Sequence, residues 1–88
     1  MAATYNFKIL TPNARALDAE VISIVAPGEA GYLGVLANHA PLITTLSAGD
    51  LKVRFDDNRE TRYHIGSGLL KVVNNAVVLL TESIEEID

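Results

Sequence analysis

Apolar and polar residues alternate one for one along much of this chain, and only an extended backbone with one solvated face turns that pattern into a packed layer. Tyr5, Phe7 and Ile9 share one side while Asn6 and Lys8 take the other. Leu51, Val53 and Phe55 alternate with Lys52 and Arg54. Past a turn at Asp56-Asp57-Asn58, Thr61, Tyr63 and Ile65 alternate with Arg62 and His64. Between such runs lie residues that end strands: Thr11-Pro12-Asn13, Pro27-Gly28, Ala48-Gly49-Asp50 and Asn74-Asn75. Proline has no amide for a ladder, and asparagine tolerates the left-handed backbone of a tight turn.

Further strands are expected at 20–26, after a short polar piece, at 33–36 within an irregular glycine-containing segment, and at 42–46. Residues 69–73 and 76–81 form a last hairpin that is apolar on both faces. No segment shows a helical stripe of useful length. From Thr81 the chain turns acidic, with Glu82, Glu85, Glu86 and Asp88, and Ile84 and Ile87 lie three apart as in the start of a helix or a linker. The expectation is an all-β, two-layer antiparallel sandwich of about eight to ten short strands. It would occupy residues 1–82, with 83–88 as an acidic tail.

Composition narrows the function. With 88 residues there is room for one domain. Apolar residues make up 49% and charged ones only 20%, so part of the surface must be uncharged, as in a subunit of an assembly. The formal charge is −4, and Arg54, Arg59 and Arg62 surround a polar loop that also holds Asp56, Asp57 and Glu60. That is no coherent positive field, which argues against nucleic acid and against direct adsorption to anionic lipid. There is no cysteine, so packing alone must hold the core. Neither a signal peptide nor a stretch long enough to span a bilayer is present, so any membrane link should run through another protein.

The inventory for catalysis is poor. His64 reads as a half-exposed sheet histidine, and His39 as a loop histidine with few polar neighbours in sequence. Ser23, Ser47, Ser67 and Ser83 are scattered, none in a nucleophile elbow. Two distant histidines without cysteine do not suggest zinc, and the carboxylates of Asp56, Asp57 and Glu60 belong to a solvated hairpin tip. Gly28-Glu29-Ala30-Gly31-Tyr32-Leu33-Gly34 lacks the spacing, the lysine and the following helix of a phosphate-binding loop. No cofactor or metal is expected. The two competing readings are a small all-β adaptor of another kind, and a minor hydrolytic or isomerase domain using His39.

The stretch from Ala26 to Leu46 resembles the signature of the epsilon subunits of F-type ATP synthases, whose mitochondrial counterpart is called delta. Gly31-x-x-Gly34, His39-Ala40-Pro41-Leu42 and Leu46-x-x-Gly49 carry the likeness. Phe7 to Pro12 resembles that family's first strand and turn, Ile65 to Val72 its glycine-marked late strands, and Val77 to Glu82 its last strand. The resemblance covers essentially the whole chain. It implies a β-sandwich that binds the gamma subunit and rests on the ring of c subunits, peripheral to the cytoplasmic face of a bacterial inner membrane. By position, it implies that Glu29, Gly31, Tyr32, Leu33, Gly34 and Asn38 face the c-ring, with His39 and Pro41 shaping the loop's exit. Members often carry an acidic residue where this chain has Tyr32, and Pro-Gly where it has Ala37-Asn38; Glu29 or Tyr32 would then supply the contact. The doubly apolar hairpin offers Leu70, Val72, Val78 and Leu80 as gamma-facing candidates. Most members continue into a pair of C-terminal helices. This chain stops at Ile87-Asp88, about where they would begin, so neither nucleotide binding nor insertion-type inhibition is expected of it.

Overall fold

The computed structural model describes residues 3–87. The strands are β1 (Tyr5–Thr11), β2 (Ala14–Gly28), β3 (Gly31–Leu36), β4 (Leu42–Leu46), β5 (Gly49–Phe55), β6 (Glu60–Ile65), β7 (Gly68–Val73), β8 (Ala76–Thr81) and β9 (Ile84–Glu86). They join in the order β1-β8-β7-β4-β2-β5-β6-β9, with β3 beside β2 and a further pairing of β1 to β2. The sheet folds over on itself into two faces around one core, which is the expected all-β sandwich.

The core lies where the alternation placed it. Tyr5, Phe7, Ile9, Leu51, Val53, Phe55 and Ile65 are all buried. Each comes from the apolar side of its strand, so every inward step puts a side chain against the opposite layer while the intervening residue stays in water. Leu70, Val72, Val77 and Leu79 complete the cluster from β7 and β8. Asn74 and Asn75 turn that hairpin with φ of 51° and 59°, and Val73 pairs with Ala76 across them. This is the left-handed pair that a two-residue hairpin of this twist requires. At the β5–β6 tip Asn58 has φ of 67°, and the Arg59 guanidinium lies 4.5 Å over the Phe55 ring.

Three features differ from the expectation. Residues 14–19, read as a polar connection, belong to the first half of a 15-residue β2 because β1 pairs with this stretch from Tyr5–Val21 to Thr11–Ala14. Cross-strand hydrogen bonding there does not need an apolar pattern. One pairing is parallel: β1 runs alongside β8, from Asn6–Ala76 to Leu10–Leu80. Finally, Ile84–Glu86 is a strand on the edge of β6, not the start of a helix, and Ile84 packs against the core. A spacing of three between two isoleucines is too short a record to separate the two states.

On the outer side of β1 and β2, Asn6 Nδ2 donates to Asp18 Oδ1 at 2.9 Å and Arg15 Nη1 to Asp18 Oδ2 at 2.8 Å. These bonds, Asn6's foremost, hold the Asp18 carboxyl below its ordinary value of 3.8. A carboxylate stabilised in the folded state contributes above its unfolded pKa, and that contribution is lost as pH falls through the folded value. The Asp18→Asn variant should therefore melt below the wild type at neutral pH. The gap should close on acidification below the usual carboxylate range, as followed by thermal melts across a pH series.

Gly68 starts β7 against Leu80; a Cβ there would lie 1.8 Å from the Leu80 carbonyl oxygen. Gly68→Ala should cost about 3 kcal/mol, the upper end of the usual penalty for overpacking, since backbone and not a side chain must move. Urea denaturation reads this directly, and a variant as stable as the wild type would contradict the close approach.

Candidate functional site

Two surfaces stand out, one at an end of the sandwich and one on a face. The end surface is built by the β2–β3 hairpin and the connection from β3 to β4. Gly28 pairs with Gly31, so Glu29 and Ala30 form a two-residue loop, and Gly31 leaves it with φ of 133°, a conformation L side chains rarely adopt. The loop is tied to β4: Thr45 Oγ1 donates to Glu29 Oε1 at 2.6 Å, and the Ser47 amide to the Pro27 carbonyl at 2.8 Å. A shallow depression of about 430 Å³ lies between the hairpin and β4, bordered by Glu29, Tyr32, Leu33 and His39.

Of the residues expected there, Glu29, Gly31, Tyr32, Gly34, Asn38 and Pro41 are exposed, while Leu33 and His39 are half-buried. Tyr32 is 66% exposed. Its hydroxyl reaches back to within 3.7 Å of where a Cβ on Gly49 would stand, so the ring lies along the sandwich end. His39 Nδ1 lies 2.7 Å from the Ala40 carbonyl oxygen. A carbonyl only accepts, so this contact puts the ring hydrogen on Nδ1. Asn38 turns the chain toward β4 with φ of 64°.

The loop is braced from inside. The Tyr5 hydroxyl, buried at the start of β1, donates to the Val35 carbonyl at 2.7 Å. Burial pushes the Tyr5 phenol well up, so this proton stays on the oxygen throughout the physiological range. The bond ties β3 near its end to the core, although among the described residues β3's strand pairing is with β2 alone. Nothing in the sequence announces it; Tyr5 reads simply as an inward aromatic.

The second surface is the outer side of β1, β8, β7 and β4. Register places Leu10 beside Leu80 and Leu80 beside Leu69. In the next row Lys8, Val78, Lys71 and Ile43 follow one another across the four strands. Ile43 is 64% and Leu80 42% exposed, and their register beside Leu10, Leu69 and Val78 makes a contiguous field, the arrangement that marks an interaction surface where a single exposed residue would not. Leu10, Pro12, Leu69 and Leu80 border a depression of about 370 Å³. At its rim the Ser67 hydroxyl donates to Glu82 Oε2 at 2.7 Å.

This corrects the expectation for the β7–β8 hairpin. Leu70 and Val72 point into the core and present no surface. Val78 and Leu80 do lie on the outer side, and Leu10, Leu69 and Ile43, which pattern reading passed over, lie there with them. A strand apolar on both faces carries no phase, so its pattern cannot say which set points out.

Neither surface assembles reacting groups. His39 belongs to the sandwich end, and His64 sits in β6 with its Nδ1 3.2 Å from Asp50 Oδ1. Among the described residues no cluster of His, Asp or Glu could hold a metal ion, and no helix is long and apolar enough to cross a membrane. What the geometry offers is area: a strand face of exposed aliphatic side chains with two lysines set among them, and a pinned loop end.

Comparison with known proteins points the same way. Residues 4–87 match the family model described as the β-sandwich domain of the ATP synthase delta/epsilon chain. The ATP synthase epsilon chain of Moorella thermoacetica is 43% identical over 83 residues, covering 94% of this chain and 62% of that protein. That of Brucella anthropi is 33% identical over 88 residues, covering 100% of this chain and 65% of that protein. The chain thus spans less than two thirds of the length of these relatives. Among solved structures, a chain of the Euglena gracilis mitochondrial ATP synthase (OSCP, F1 and c-ring) superposes with a TM-score of 0.92 at 24% identity, over 100% of this chain and 58% of that one. A chain from the central stalk and c-ring of the Tetrahymena thermophila enzyme gives 0.81 at 18% identity, over 96% and 67%. At these identities the structural matches establish the fold.

Replacing Tyr5 by Phe keeps the packing and leaves the Val35 carbonyl without its partner. The expected cost is about 1–2 kcal/mol, the price of an unmet buried acceptor. Amide exchange should accelerate first in β3. Uniform acceleration across all strands would mean that the hydroxyl does not brace this strand in particular.

Proposed function

The chain belongs to the family of ATP synthase delta and epsilon chains, and from that membership we propose that it is a central-stalk subunit of an F-type ATP synthase. In this reading it binds the gamma subunit and rests on the c-ring, joining ion-driven rotation to ATP synthesis. It is peripheral to the membrane through the complex, on the cytoplasmic face of a bacterial inner membrane. It performs no bond chemistry of its own.

The observation that carries the partner assignment is the outer face of β1, β8, β7 and β4. Leu10, Leu69, Val78, Leu80 and Ile43 form an apolar field, with Lys8 and Lys71 set on either side of Val78. Such a composition suits a protein interface in which aliphatic side chains supply the buried area and the two lysines lay their stems along it with their charges at the solvent. The gamma subunit is its proposed occupant. The sandwich end, with Glu29, Gly31, Tyr32, Leu33, Gly34, Asn38, His39 and Pro41, is the proposed c-ring contact. Glu29 is already engaged by Thr45, so its second carboxylate oxygen, the Tyr32 hydroxyl and the exposed Asn38 are among the polar groups this end offers.

Mechanically, a coupling piece must pass on torque without shearing. Interdigitated layers with a single cooperative core resist deformation, and torque travels through contacts spread over a face. The relatives' context supports the reading: the two superposed chains come from assemblies described as F1 with c-ring and as central stalk with c-ring.

Leu80→Lys tests the gamma face. Its neighbours across the strands are Leu10 and Leu69, so the long stem can lie along them with the ammonium in water. Titration against a gamma-containing subcomplex should show at least a tenfold loss of affinity, about 1.4 kcal/mol, with an unchanged melting profile. Undiminished binding by a folded variant would remove this face from the interface.

A further inference from the structure

We propose that Asn75 is a positioning residue that sets the geometry of the loop carrying Asn38, His39 and Pro41; the consequence for docking rests on the reading of that loop as the c-ring contact. Asn75 lies at the β7–β8 turn, far along the chain from the loop it serves. Its Oδ1 accepts the Asn38 amide hydrogen at 2.6 Å. Its Nδ2 donates to the Thr4 carbonyl at 3.0 Å, where the chain enters β1. One side chain thus bridges three segments that are otherwise joined only through the sheet.

The chemistry restricts what can stand there. The bridge needs an acceptor and a donor on one short planar group, and among side chains of this length only the asparagine amide has both. The backbone at Asn75 also has φ of 59°, which asparagine tolerates better than most residues. The receiving end is constrained in the same way: Asn38 has φ of 64°, and the bond from its amide fixes the point at which the chain turns back toward β4. His39 follows directly, its ring tied to Ala40. The direction in which His39 and Pro41 leave the sandwich end is therefore set by a residue of a different hairpin. The same amide also reports on β1, so loop, hairpin and first strand hold one another in register.

Two substitutions separate the backbone from the side chain. Asn75→Gly keeps the left-handed turn and removes both hydrogen bonds. Asn75→Asp keeps the acceptor for Asn38 and loses the donor to Thr4. In the full chain, Asn75→Gly should raise hydrogen exchange at the Asn38 amide about tenfold while core amides such as Leu79 stay protected, the signature of local opening. Asn75→Asp should leave Asn38 close to wild type. Binding to c-ring-containing complexes depleted of this subunit should weaken severalfold for the glycine variant and less for the aspartate. Unchanged Asn38 exchange in Asn75→Gly overturns the positioning role, whatever the affinity. Faster Asn38 exchange with unchanged affinity upholds the joint and instead refutes the c-ring contact at this loop.

Discussion

β2 is the strand on which everything else depends. Its 15 residues pair with β1 along the first half and with β3 and β5 along the second, and its last residue meets β4. A single strand shared this way serves both layers of the sandwich, so any slip in its register would misplace the core on both sides at once. Irregular register near Val21 and Ser23 against β5 marks where it passes from one set of neighbours to the next. Val21, Ile24 and Ala26 are all buried across this change, although they do not keep a strict period of two. The sandwich end is then simply where β2 finishes, turns through Glu29 and Ala30, and returns as β3.

The alternating strands were legible because each has one face in water. Tyr5-Phe7-Ile9 and Leu51-Val53-Phe55 carry their phase openly, and the structure buries those residues. The Asn74-Asn75 turn was legible from backbone preference alone. The remainder depends on partners distant in sequence. Nothing local in Asn6 to Leu10 shows that β8 will lie alongside, nor in residues 14–19 that β1 will pair with them. For β7 and β8 the missing quantity was phase, which is why Leu70 and Val72 appeared as surface candidates and proved to be core.

The candidate surfaces were legible to different degrees. Glycine and proline punctuation marked the sandwich end, and likeness to a known family singled out candidate residues within it. The supports beneath it, Tyr5 to Val35 and Asn75 to Asn38, are invisible in sequence because each joins residues 30 and 37 positions apart. Only a closed fold brings such atoms within hydrogen-bond reach. Both supports end on backbone groups of the β3 region, so the loop's shape is secured in part through the main chain, alongside the side-chain tie of Glu29 to Thr45.

The parallel pairing of β1 with β8 sets the order in which this molecule can come into being. Asn6 meets Ala76 and Leu10 meets Leu80, so the first strand cannot find its parallel neighbour until some seventy further residues have left the ribosome. Contacts of such long sequence separation demand loop closure before they return any stabilisation, which places the domain among slow, topology-limited folders. Until then the chain holds a nascent hairpin of β1 and β2 with its apolar side uncovered. The two layers therefore close on one another only after residues 76–80 have been made, an order imposed by topology alone.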